Sequence, residues 1–166
     1  ESRLEEYPQI KKRLAENGVA VLDNKTVLLE KDGCFINLIG IDDPAMAHRK
    51  DISPDVIAAQ ELDAAGADMS KYTVLLSHRP ELFETYAAKK VDLVLSGHAH
   101  GGLVRLPFIG GIIAPGQGLF PQYTAGTFEK GQTVMAVSRG LGSSVLPVRL
   151  RINNRPELVF IVLKHA

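Results

Sequence analysis

Hydrophobic residues fall into short runs separated by glycine, proline and polar turn formers, and the runs divide the chain into an α/β half followed by an all-β half. Ile10 and Leu14 recur at helical spacing, which predicts a helix over 8–17 with Gly18 as its stop. Strands are expected over 19–22, 26–30 and 34–41, split by the turn formers Asn24 and Asp32-Gly33. The alanine-rich stretch 51–67 is expected to hold one helix after Pro54.

The most informative stretch is 72–102. Residues 73–76 (Thr-Val-Leu-Leu) form a short apolar run suited to a buried strand. Pro80 and Glu81 then stand where a first helical turn favours a residue without an amide and a negative charge. That helix is expected to reach Lys90, and residues 91–95 give a second buried strand. Strand, helix, strand is a βαβ unit, which joins parallel strands through a right-handed crossover. Beyond Gly102 the pattern changes. Gly and Pro punctuate 107–126, read as an irregular loop with a short hairpin, and a strand follows at 133–138. Val148, Leu150 and Ile152 alternate with Arg149 and Arg151, as in a half-exposed strand over 147–152. The continuous apolar run 158–163 is expected to be a buried final strand. The fold class is therefore α/β, with a mixed sheet ending in antiparallel strands.

At 166 residues the chain fits a single domain over 1–166, and 45% hydrophobic residues can form a real core. Nineteen Lys and Arg balance nineteen Asp and Glu, which removes the electrostatic case for a nucleic-acid scaffold binder or a polybasic membrane-surface protein. The lone Cys34 rules out an intrachain disulfide and is expected to be buried and inert in its apolar strand. No apolar run approaches the ~18 residues of a spanning helix. The first residue is Glu1 rather than Met, which suggests a processed or excised chain.

Of five histidines, three fall at the ends of the two parallel strands. His78 follows the first, in Leu-Leu-Ser-His, and His98 and His100 follow the second, in Ser-Gly-His-Ala-His-Gly-Gly. Neighbouring strands lie about 4.8 Å apart, and ligands of open α/β sheets bind at the carboxyl edge. Three imidazoles can therefore converge on one small volume. Gly97, Gly101 and Gly102 suit a tight ligand-bearing turn. Imidazole favours transition metals, and His-x-His sets both rings on one side of an extended segment. His48 and His165 read as ordinary polar residues.

The segments Leu-Ser-His-Arg-Pro, Ser-Gly-His-Ala-His-Gly-Gly and Val-Ser-Arg-Gly-Leu-Gly-Ser-Ser-Val-Leu-Pro-Val-Arg-Leu together resemble the calcineurin-like metallophosphoesterases, most closely the bacterial branch often attached to membranes. The resemblance covers 18–163. It implies half of a two-sheet α/β sandwich and a phosphodiesterase or phosphomonoesterase activity on a phosphoester substrate. It also implies two divalent ions (Mn, Fe or Zn), with His78 and His98 as ligands of one and His100 as a ligand of the other. In the family those ions hold a bridging hydroxide that attacks phosphorus in line.

The family's Asp-x-His, Gly-Asp-x-x-Asp and Gly-Asn-His motifs occur nowhere here. The chain therefore resembles the carboxyl-terminal half of a phosphoesterase and is expected to bind metal weakly and hydrolyse little by itself. Any membrane anchor would lie upstream of Glu1. Two alternatives stay open: a metal-binding module without catalysis, and one subunit of a split enzyme. A half-sandwich exposes sheet edges and apolar faces, so a homodimer or association with a missing amino-terminal half is expected. Leu103 stands where many relatives have Gln. Among weaker candidates, Asp42-Asp43 reads as a turn or cap, since adjacent strand residues face opposite ways. Arg139 fits either a substrate phosphate or a structural salt bridge. Gly110-Gly111 and Gly116-Gln117-Gly118 read as flexible loop near the site. The sequon Asn24-Lys25-Thr26 reads as chance.

Overall fold

The computed structural model describes residues 6–47, 49, 51–142 and 151–164. Its helices are α1 (Tyr7–Glu16), α2 (Pro54–Ala64) and α3 (Phe83–Ala88). The main strands are β1 (Lys25–Lys31), β2 (Cys34–Gly40), β3 (Tyr72–Ser77) and β4 (Leu93–Ser96). Four two-residue strands follow, β5 (Arg105–Leu106), β6 (Gly110–Gly111), β7 (Ile113–Ala114) and β8 (Gly118–Leu119), and then β9 (Gly126–Lys130) and β10 (Thr133–Val137).

Six strands make one sheet in the order β1-β2-β3-β4-β10-β9. The four inner strands run parallel, and β1 and β9 close the edges antiparallel. The expected βαβ unit is present: β3 and β4 are neighbours, paired from Val74↔Leu93 to Ser77↔Ser96. The β1–β2 turn works because Asp32 and Gly33 both take positive φ, 53° and 77°, which matches a two-residue hairpin to the strand twist. The helix expected up to Lys90 is a 3-10 turn at Pro80–Leu82 that runs into α3.

Alternation divides the sheet into two faces. Ile39, Leu75, Val94, Met135 and Val137 point to the side of α2 and α3, where Ala58, Leu62, Phe83 and Tyr86 complete the core. Complete burial of a side chain like Phe83 contributes about 1.5–3 kcal/mol. The opposite face carries a second apolar row in register, Leu38–Val74–Leu93–Val134, with Leu76 beside it 37% exposed.

Several expectations fail. Residues 19–22 are not a strand: Leu22 lies against Gly40, where an added Cβ would stand 2.5 Å from the Leu22 Cβ. Both edges of β2 are already filled by β1 and β3, so this segment crosses the strand end instead. Residues 158–163 are neither strand nor core; Leu158 is 82% and Phe160 88% exposed. An apolar run becomes a strand only where a neighbour accepts its amides and carbonyls, and among the described residues it has none. Cys34 is exposed, because it opens β2 beside the hairpin turn rather than in its buried stretch. Strand β9 escaped detection because charged residues break its apolar pattern, yet it pairs fully with β10. The strand expected over 147–152 falls mostly outside the described residues; its end, Ile152, forms a single parallel bridge with Val104. His48 and His165 also lie outside them.

Candidate metal centre

His78 and His98 leave the carboxyl ends of β3 and β4 one and two residues beyond the last ladder pair, Ser77↔Ser96. Their ring centroids lie 4.4 Å apart with the planes tilted 56°. Neutral imidazole nitrogens are what a metal ligand needs, and the environment favours that form. Burial lowers the pKa of His98, assisted by the charge of His78. Burial also lowers that of His100, assisted by Arg151.

The His-Ala-His segment is not extended. His98 and His100 take φ of 61° and 48°, left-handed values that cost a non-glycine residue on the order of 1–3 kcal/mol each. The turn is closed by Ala99 N–H to Gly97 O at 2.6 Å and Gly102 N–H to Ala99 O at 2.7 Å. From 54 residues away, the buried Asn154 donates to His100 O at 2.6 Å. Gly101 (φ 73°) has no room for a side chain, since a Cβ there would meet Asn154 Oδ1 and stand 3.0 Å from Arg139 Cγ. Gly102 in turn lies directly on Gly111. Gly111 and Gly116 thus serve close approach rather than flexibility: Gly111 packs on the histidine turn, and Gly116 sits against Glu81. Leu103 is buried, and its carbonyl accepts from Ile152 N–H.

Two carboxylates lie in the electrostatic neighbourhood of His98, those of Glu81 and Asp43. Both are bound to Arg79, whose Nε donates to Asp43 Oδ1 at 2.6 Å and whose Nη1 donates to Glu81 Oε1 at 3.1 Å. Asp43 also receives the Ala45 amide at 2.9 Å, as a turn residue would, and Asp42 pairs with Asn24, occupying the sequon amide. Burial would raise the Asp43 pKa, but the Arg79 hydrogen bond and the Ala45 amide outweigh it and hold it low. Among the described residues no group of three or more His, Cys, Asp or Glu stands at metal-holding spacing. His78 and His98 are therefore together, and His100 does not complete a triad with them.

Beside His100 and its turn three arginines converge. Arg105 donates to Gly101 O at 2.8 Å, and Arg151 donates to Arg139 O at 2.8 Å. Among the described residues Arg139 Nε is buried without a hydrogen bond, with Glu157 Oε1 3.8 Å away, and Arg151 Nη1 has no partner there either. Burial and then Arg139 lower the Arg105 pKa, the mark of like charge in close quarters. Arg79, Arg105, Arg151 and Asn154 escaped the sequence reading. Only the adjacency of Arg79 to His78 could have flagged any of them.

No family model matches the chain, and no solved structure matches it. Curated relatives do. The chain is 42% identical over 93 residues to the uncharacterized metallophosphoesterase YkuE of Bacillus subtilis, covering 56% of this chain and 31% of that protein. It is 29% identical to YkoQ of the same organism, covering 94% of the chain and 53% of YkoQ. It is 28% identical to the phosphodiesterase YaeI of Escherichia coli, covering 90% and 49%. These homologues are named metallophosphoesterases or a phosphodiesterase, which supports the calcineurin-like metallophosphoesterase family for the chain. It spans about half or less of the length of these relatives.

Proposed function

We propose that this chain contributes metal ligands and a phosphate contact to a metal-dependent phosphoester hydrolase with a binuclear site. The observation that carries the reading is the pair of imidazoles 4.4 Å apart at the carboxyl ends of adjacent parallel strands. In this reading His78 and His98 hold one divalent ion (Mn, Fe or Zn) and His100 holds the second. When bound, the ions lower the pKa of a water and offset charge developing on the phosphoryl oxygens.

The chain's own groups do the rest. In this reading Arg139 contacts a phosphate oxygen, and Arg105 and Arg151 keep that side of the site positive. Asp43 and Glu81 each accept a hydrogen bond from the same Arg79 guanidinium and hold the turn rather than face the ions in this reading. The carboxylate ligands therefore come from a segment with the Asp-x-His, Gly-Asp-x-x-Asp and Gly-Asn-His motifs. The partly exposed Leu76 and the exposed apolar run 158–163 support docking of such a segment, or of a second copy of this chain. The lack of a three-donor group among the described residues favours one second reading, in which this chain is one subunit of a split enzyme.

The test is hydrolysis of bis(4-nitrophenyl) phosphate with Mn2+ by the chain alone and by the chain joined to the motif-bearing portion of a relative. Little turnover alone, and turnover by the joined protein that disappears in His98→Ala, is the expected outcome. A joined protein that is inactive, or indifferent to His98, overturns the reading.

A further inference from the structure

We propose that Tyr86 is a positioning residue for His78. The inference rests on the metal-binding reading for its purpose, but its geometry is independent of it.

The β-ladder holds β3 as far as Ser77, which is opposite Ser96, and on the other flank Leu76 O receives the Ile41 amide at 3.3 Å. His78 is the first residue past that ladder. Tyr86 reaches this point from α3 with its side chain fully buried. Its hydroxyl lies 2.6 Å from Ser77 Oγ and donates to Arg79 O at 3.0 Å. A phenol has one proton. With that proton on the Arg79 carbonyl, the Tyr86 oxygen accepts from the Ser77 hydroxyl. One oxygen thus grips the two residues that flank His78, and it does so where strand pairing has just ended. Burial pushes the Tyr86 phenol well above its usual pKa, so the proton stays in place across the neutral range.

A buried tyrosine needs only one partner to satisfy its hydroxyl. Here both partners belong to the same ligand-bearing turn, and the Arg79 side chain anchors the same turn from outside through Asp43 and Glu81. The imidazole that must meet His98 is therefore aimed by its neighbours' backbone and hydroxyl, which is how outer groups orient metal-binding histidines. Loss of such a partner typically costs 10–100-fold in metal affinity.

The experiment uses the 166-residue chain, with Tyr86→Phe to remove only the oxygen and Ser77→Ala to remove its partner. Two readouts separate positioning from general stability. The first is metal-free: imidazole NMR signals of His78 and His98. The expected result is that the His78 signals shift or broaden while core methyl signals stay in place; unchanged His78 signals overturn the proposal whatever the metal does. The second is Co2+ affinity in the native and His78→Ala backgrounds. A loss of about tenfold or more in the native background, absent once His78 is removed, is the expected result. An equal loss in both backgrounds overturns it, because Tyr86 would not then act through His78. If the native chain shows no Co2+ binding dependent on His98, the metal-binding reading fails, and the NMR comparison still decides the role of Tyr86.

Discussion

Arg79 Nε donates to Asp43 Oδ1 at 2.6 Å, tying the residue after His78 to the loop that leaves β2. The side chains of Arg79, Asp43 and Glu81 are only 18–21% exposed, so screening by water is weak. Arg79→Met keeps the aliphatic stem but strands two partly buried carboxylates. The variant is expected to lose about 2 kcal/mol, less than a fully buried pair would cost. Chemical denaturation of the native chain and the variant measures it.

Gly101→Ala is expected to lose about 2 kcal/mol or more. The positive φ alone costs on the order of 1–2 kcal/mol for an L side chain, and the Asn154 side chain occupies the space of the added methyl. Gly142→Ala, where nothing lies within 4 Å and φ is not in the left-handed range, is the control with little change. Thermal melts of both check this.

Acid weakens the chain before the ordinary carboxylate range. Burial holds the folded pKa values of His98 and His100 below the ordinary histidine value of about 6.5, so the unfolded chain takes up protons first. Their contribution is complete above pH 6.5 and is lost as pH falls through the lower folded values. Melting temperature is therefore expected to be flat from pH 8 to about 7 and to drop below pH 6.5. His98→Asn flattens that drop.

Cys34 is exposed at the start of β2 and is expected to react with a maleimide in the folded chain at a rate close to that of a free thiol. Slow labelling that speeds up on denaturation would contradict this placement.

How far these relationships were legible depended on whether a signal was local. The βαβ unit and the histidine strand ends could be read because Thr73 to Leu76 and Val91 to Leu95 are short, mostly apolar runs bounded by Pro80 and Gly97. Residues 158–163 carry an equally clear apolar signal but no partner strand among the described residues, and hydrophobicity alone cannot state whether a neighbour is present. Cys34 was misplaced because one apolar strand can be exposed at its first residue and buried at its fourth. The Asn154 contact to His100 and the Tyr86 grip on Ser77 and Arg79 link residues far apart or on different elements, and no spacing rule announces them. The departure of His98 and His100 from an extended backbone was hidden for a related reason. Glycines at 97, 101 and 102 advertise a tight turn, yet the strain falls on the histidines themselves.

The most direct test of the metal centre is a Co2+ titration of the chain followed by visible absorption, beside His78→Ala, His98→Ala and His100→Ala. The account predicts nitrogen-ligated Co2+ bands in the native chain that fall to weak, residual binding without His78 or His98 and weaken less without His100. Bands that keep their full strength in both His78→Ala and His98→Ala, or no band in the native chain, would contradict it.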